Sequence, residues 1–341
     1  LLVSLKKIIF DFSIYILNPE DPIKKYLKEY FYIRIIGLPA GLLNLVFLGW
    51  FFGLQKSKSV MLQIIIINTA NIFFSFYFSV ILKQGIYGVA LGSVLGQLFG
   101  LMISILIIFK HYKNLKTNSL VLKNIFLLKP ILKLFNISKD LFIRTISLLI
   151  AKVFLFKKAI AIGVNELATI EILIVIFSIS SSILDAFAHT AETTVGNATG
   201  SKNRLKLKQS IMYSSEIALI FSVLISVSLY IFQEKIIFLI TDIDVLRILL
   251  KNIWLLVVLT PIISVFAFQL DGIFIGATLT KEMRDSMILS GVLFYVLLEF
   301  VGKERLNIEN LYSCFLFFLF SRGVILSFYI KKVFNLTKVK T

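Results

Sequence analysis

Nine runs of apolar residues, each of helix-spanning length, follow one another at about 31–54, 60–82, 86–109, 141–162, 167–191, 211–233, 253–279, 286–301 and 311–330. About 20 apolar residues in a helix cross the hydrocarbon of a bilayer. No water is present there to satisfy peptide groups, so only helices or closed barrels can span it. Barrel strands alternate apolar and polar residues, and SVMLQIIIINTANIFFSFYFSVIL at 59–82 does not. The reading is an all-α, polytopic helical membrane protein. Composition agrees: 58% of residues are hydrophobic and 16% charged, at a mean hydropathy of +0.92, which excludes a soluble enzyme. One cysteine, Cys314, excludes a disulfide framework, and the two histidines, His111 and His189, are too few for a histidine-built metal centre. No phosphate-cradling glycine loop or nucleophile elbow occurs, so no cofactor and no enzyme activity are expected; GVALGSVLG at 88–96 reads as small-residue helix packing.

The net charge of +17 reads as topology and not as nucleic-acid binding. When the side is switched after each span, 19 basic and three acidic residues fall on one side, and 12 basic and nine acidic residues on the other. The first side, holding Lys56, Lys58, Lys110 to Lys139, Lys202 to Lys208, Lys281, Arg284 and the tail from Lys331, is therefore read as cytoplasmic, with the C-terminus inside.

LLVSL at 1–5 reads as the last turn of a helix whose start is absent. The lysine-rich stretch 110–138 reads as a solvated cytoplasmic linker, with anionic lipid contact as the alternative. KIIF at 7–10 recurs at 235–238, and each copy leads through an acidic stretch into a span with one proline, Pro39 or Pro261, that ends in a glycine-containing turn. Such halves running in the same direction are a transporter signature, and they size the absent piece at nearly three helices.

Charges at bilayer depth need a physical reason. Arg144, Glu299 and Arg322 fall near span ends, where snorkelling suffices. Lys152 and Glu171 lie on adjacent spans and suit either a structural ion pair or a pathway role. Asp185 and Asp271 have no adjacent charge in their own helix, and a carboxylate in a low-dielectric cavity can switch charge on binding a proton or cation. Asp271, ten residues after Pro261, is the leading candidate; His189 could extend a proton relay from Asp185, or be an ordinary core residue. Asn44, Gln63, Asn68, Asn71 and Gln269 either glue helices together or line a polar cavity.

The stretches YIRIIGLPAGLLNLVFLGWFFGLQKSKSVMLQIIIINTANIF at 32–73, SILDAFAHTAETTVGNATGSKNR at 182–204 and AFQLDGIFIGATLTKEMRDSM at 267–287 resemble the MATE multidrug and toxic-compound extrusion family, and its DinF-like branch most. The resemblance implies twelve helices in two bundles that export cationic or amphipathic compounds in exchange for H+ or Na+. It divides this chain into a partial N-terminal bundle at 1–109, a linker at 110–138, a C-terminal six-helix bundle at 139–332 and a cytoplasmic tail at 333–341, with about nine complete spans. It places ion coupling on Asp271, Asp185, Asn71 and Ser93; Ser75 joins the amides Asn44, Gln63, Asn68 and Gln269 as a cavity candidate. Ser75 stands where the family's N-terminal site has an Asp, the Asp of the first helix is absent, and His189 replaces an aromatic. The implied setting is the bacterial inner membrane, as a monomer, with a small-molecule substrate, the lipid bilayer as surroundings and no nucleic acid. Three rivals stand beside it. A lipid-linked oligosaccharide flippase would need several interior basic residues, and only Arg144, Lys152 and Arg322 are available. An intramembrane enzyme using Asp185 and His189 lacks a third group, and a non-transporting remnant of a split gene is the last.

The topology has a direct test. With Cys314 replaced by Ser, Lys116→Cys and Lys206→Cys should resist an impermeant maleimide in intact cells and react after permeabilisation; labelling from outside would invert the assignment.

Overall fold

The computed structural model describes residues 5–17, 21–112, 128–304 and 307–337, and those residues are helical throughout apart from short turns. The chain divides into two compact units, Leu1–Leu120 and Val121–Thr341.

In the first unit α1 (Lys6–Leu17) is followed by α2 (Asp21–Arg34), which passes through a 3-10 turn at Ile35–Gly37 into α3 (Leu38–Gly53). Proline has no N–H to donate and its ring crowds the carbonyl four residues back, so Pro39 enters at the first turn of α3 and the helix tightens before it. Helix α4 (Ser57–Phe76) ends in a π turn at Tyr77–Ile81, and α5 (Gly85–Tyr112) packs along it. The contact is made by glycine. A Cβ at Gly92 would lie 2.3 Å from the Ser75 backbone nitrogen, at Gly88 2.6 Å from the Phe78 carbonyl carbon, and at Gly96 2.8 Å from the Ile67 oxygen. Spaced four apart, these glycines share one face of α5 and let two backbones touch.

The second unit contains α6 (Leu128–Ile162), α7 (Val164–Gly200), α8 (Arg204–Ile231), a short α9 (Gln233–Ile240), α10 (Asp244–Gly276), α11 (Thr280–Glu304), α12 (Ile308–Ser327) and α13 (Ile330–Asn335). Asn203 and Asn307 cap α8 and α12 by accepting from the backbone N–H groups of Lys206 (3.0 Å) and Asn310 (2.8 Å). Helix α10 is the axis of the unit and packs against α7, α8 and α12. Trp254 of α10 and Tyr312 of α12 lie in the core, and their polar atoms bond to the Leu229 carbonyl (2.9 Å) and the Thr260 hydroxyl (2.9 Å). Glycine again sets the tightest seam: a Cβ at Gly272 would meet the Ala188 oxygen at 2.1 Å, and one at Gly276 the Glu192 oxygen at 2.4 Å.

One expectation changes. Pro39 and Pro261 do not shape their helices alike, because Pro261 stays inside the continuous α10 whereas Pro39 follows a break. All nine expected spans coincide with helices, and among the described residues seven stretches of helix are long and apolar enough to cross a membrane by length and composition. Helices α6 and α11 are not among them. Six charged residues between Lys139 and Lys158 interrupt α6, and Asp285 and Glu299 bound a short apolar stretch in α11. Of the stretch 110–138 expected as a linker, residues up to Tyr112 and from Leu128 are helical, and 113–127 lie outside the described residues, as do 338–341 of the tail and most of LLVSL.

The seams give a paired test. Gly92→Ala and Gly272→Ala should each destabilise the protein by about 1–3 kcal/mol, the usual range for overpacking. Gly291→Ala, which meets open space, should be neutral or stabilising because alanine favours helix. Thermal unfolding in a neutral detergent measures both.

Candidate functional site

Two polar constellations lie in the apolar helices, one in each unit. In the first unit, Asn44 of α3 donates its amide to both the backbone oxygen (2.8 Å) and the side-chain oxygen (2.8 Å) of Gln97 on α5. Gln63 of α4 donates to the Asn44 backbone oxygen at 3.0 Å and to its side-chain oxygen at 3.3 Å. Three helices are thus joined by amides, as buried amides in hydrocarbon require. One helical turn or two further along, the Asn71 side-chain oxygen accepts from Ser75 (3.0 Å) and from Ser93 (3.1 Å). The Gly92–Ser75 contact is what holds α5 close enough for this. Every donor atom offered there is a neutral oxygen or amide. Asn68, expected to share a role with Asn71, is exposed on the helix surface.

The second unit holds charges. Asp271 of α10, 6% exposed, accepts hydrogen bonds from the guanidiniums of Arg144 on α6 and Arg322 on α12 through the same carboxylate oxygen. Arg322 is 3% exposed and lies over the Phe268 ring, 5.6 Å from its centroid. Asp185 of α7 is half-buried and close enough to Arg322, Arg144 and His189 to feel their charges, yet neither guanidinium hydrogen-bonds to it. His189 sits one turn on, its Nδ1 3.3 Å from Glu192. Gln269 donates to the Ser214 hydroxyl at 2.7 Å, bridging α10 and α8.

Arg144 and Arg322 are therefore not snorkelling side chains at span ends. The cross-helix carboxylate draws them inward, a contact between residues 127 and 51 positions apart that no local spacing announces. Glu299 likewise pairs with Lys158 at 3.0 Å. No ion pair joins Lys152 to Glu171, and both reach exposed or half-exposed surface. Asp185 and Asp271 are brought to one place, with His189 beside Asp185; Asn71, Ser75 and Ser93 are brought to another. Gln97 and Ser214 complete these clusters and were not anticipated. A glutamine within an apolar span, four residues after Ser93, was the available signal for the first.

The MatE family model matches residues 141–301. DNA damage-inducible protein F of Escherichia coli K12 is 26% identical over 291 residues, which are 84% of this chain and 62% of that protein. Protein DETOXIFICATION 43 of Arabidopsis thaliana is 25% identical over 190 residues, 56% of this chain and 35% of its own. The chain thus spans less than two thirds of either relative. Among solved structures, a MOP superfamily transporter from Pyrococcus furiosus superposes with a TM-score of 0.88 at 17% identity, covering 99% of this chain and 76% of that one. An outward-facing multidrug resistance MATE family transporter of the same superfamily gives 0.87 at 18%, with the same coverages. At these identities the structures establish the fold.

The charge cluster predicts how the site fails. Asp271→Asn leaves two guanidiniums without their counter-charge and should cost about 3–5 kcal/mol, the range for breaking a buried pair from one side. Adding Arg322→Met should return a measurable part of that loss in thermal unfolding, whereas the same change alone should not stabilise the parent.

Proposed function

We propose that this chain, which belongs to the MATE family as a DinF-like member, is a secondary active antiporter that exports cationic or amphipathic small molecules in exchange for protons. The family is one of transporters, not of enzymes. The observation that carries the coupling is the contrast between two carboxylates in one cluster. Asp271 is held by two guanidiniums, and Asp185, half-buried beside the same pair, accepts a hydrogen bond from neither. We therefore assign coupling to Asp185, and to Asp271 the positioning of Arg144 and Arg322.

The linkage follows from charge. With both acids ionised the four side chains sum to zero, and a proton on Asp185 makes the cluster +1. A cationic cargo favours the first state and is repelled by the second, so proton and cargo bind in competition, as exchange requires. Two guanidiniums next to Asp185 also disfavour a metal cation there, which supports protons over Na+. The flippase reading weakens because Arg144 and Arg322 already bond to Asp271 and are not free to meet a diphosphate. Asn71, Ser75 and Ser93 supply neutral oxygens without a carboxylate and fit the cargo path better than ion coupling; Asn44, Gln63 and Gln269 hold helices together beside it.

In proteoliposomes, a pH gradient should drive efflux of tetraphenylphosphonium by the parent protein, and a Na+ gradient alone should not. Asp185→Asn should abolish that efflux and lower thermal stability by less than Asp271→Asn does, since it breaks no hydrogen bond to either guanidinium, and Asp185→Glu should retain efflux. An unaltered pH dependence in Asp185→Asn would move coupling back to Asp271 or to the first unit around Asn71.

A further inference from the structure

The first three turns of α6 carry features that transport does not use. Leu128, Ile131, Leu132 and Phe135 form an exposed apolar stripe at helical spacing, and it runs on through Phe142, Ile146 and Leu149. A 35-residue helix is about 52 Å long, against about 30 Å of hydrocarbon, so a stripe that faces acyl chains at Phe142 and beyond emerges at headgroup level by Leu128. Beside the stripe, this start of α6 and the connection from α10 to α11 enclose a cleft of about 490 Å³. Lys133 and Asn136 line it from α6, Thr278 from the connection and Lys281 from the first turn of α11.

The cleft also contains two carboxylates, and both are paired, although Arg284, which meets the first, is shared with Asp285. Asp140 accepts from Arg284 at 2.6 Å and from Thr280 at 3.4 Å; Glu282 accepts from Lys332 at 2.8 Å. Lys133 and Lys281 are exposed, and among the described residues neither makes an ion pair. With Asp285 counted, Lys133, Lys281, Arg284 and Lys332 face Asp140, Glu282 and Asp285, so the net charge around the cleft is positive, and it lies on the side that collects the basic excess of the sequence.

We propose that this cleft is a binding site for an anionic phospholipid, with the headgroup phosphate between Lys133 and Lys281 and the acyl chains along the Leu128–Phe135 stripe. Lysines at headgroup level attract anionic lipid, and the adjoining stripe supplies what the chains need. A free phosphate would use the lysines and ignore the stripe. A zwitterionic lipid would bring its own ammonium against them. Bound there, the lipid ties the start of α6 to the start of α11, the helix that follows the one bearing Asp271.

The test is thermal unfolding of the purified protein in neutral detergent, with dioleoylphosphatidylglycerol, dioleoylphosphatidylcholine or inorganic phosphate added in equal amounts. Phosphatidylglycerol should raise the Tm by several degrees over phosphatidylcholine, and inorganic phosphate should leave it unchanged. Lys133→Gln with Lys281→Gln should lose at least half of that difference, Lys133→Arg with Lys281→Arg should keep it, and so should Lys206→Gln with Lys208→Gln. Reading the difference between the two lipids within each variant removes any change in intrinsic stability. Equal stabilisation by phosphatidylcholine, a full difference in the double Gln variant, or a shift with inorganic phosphate alone would overturn the proposal.

Discussion

Close approach of helix backbones at glycine is the constraint on which both units depend. Between helices in lipid the hydrophobic effect gives no attraction, since lipid tails are as apolar as leucine, and association rests on packing and on polar bonds across the contact. Here the tightest packing and the candidate polar groups coincide. The Gly92 contact with Ser75 holds α5 close to α4, and on the same two helices Ser75, Ser93 and Asn71 meet within 3.1 Å. Gly272 rests on the Ala188 carbonyl, adjacent in sequence to Asp271 and one turn from Asp185. A side chain at either glycine would separate the helices and the polar cluster together.

The cluster around Asp271 has its own logic. A single buried carboxylate between two guanidiniums leaves one positive charge in excess, and a buried excess is costly. Asp185 supplies the balancing charge from the half-exposed side of the cluster, without a hydrogen bond that would fix it there. The arrangement separates two tasks that carboxylates can perform. Asp271 and Arg322 are sealed from solvent and hold α10 to α12, while Arg144 ties α6 to the same oxygen. Asp185 is the member whose charge can change without breaking a bond between helices.

What was legible in the sequence was whatever is local or periodic. Helix class followed from the length of the apolar runs, and the glycine face of α5 from its four-residue spacing. For Asn44 and Gln63 the sequence left open whether they glue helices or line a cavity, and the bonds that join them to each other and to Gln97 across helices were not readable. Pairing at long range was hidden: Arg144 and Asp271 stand 127 positions apart, and a charge three residues inside a span reads alike whether it snorkels or turns inward. Pro39 and Pro261 occupy matching places in the repeat, but only the neighbours decide whether a missing N–H breaks a helix or is absorbed within it. Two of the nine expected spans fall short of spanning hydropathy for a related reason. Helix α6 carries more charge than an isolated span tolerates, and its Arg144 is accommodated because α10 presents a carboxylate to it.

The two units therefore share a packing device and differ in what they place beside it. In the first, the glycine seam gathers amides and hydroxyls, groups that bind without changing charge between pH 5 and 9. In the second, it gathers two acids and two guanidiniums. Any energy that a proton gradient delivers must enter through a group whose protonation alters the relative stability of two helix arrangements. Among the described residues of the first unit's polar clusters no such group is present. In the second unit a proton on Asp185 unbalances a cluster that bonds α6, α10 and α12 to one another, so a local change of one charge acts on three helices at once. On the proposed reading the second unit is where the gradient does its work, and the first supplies neutral contacts to the cargo.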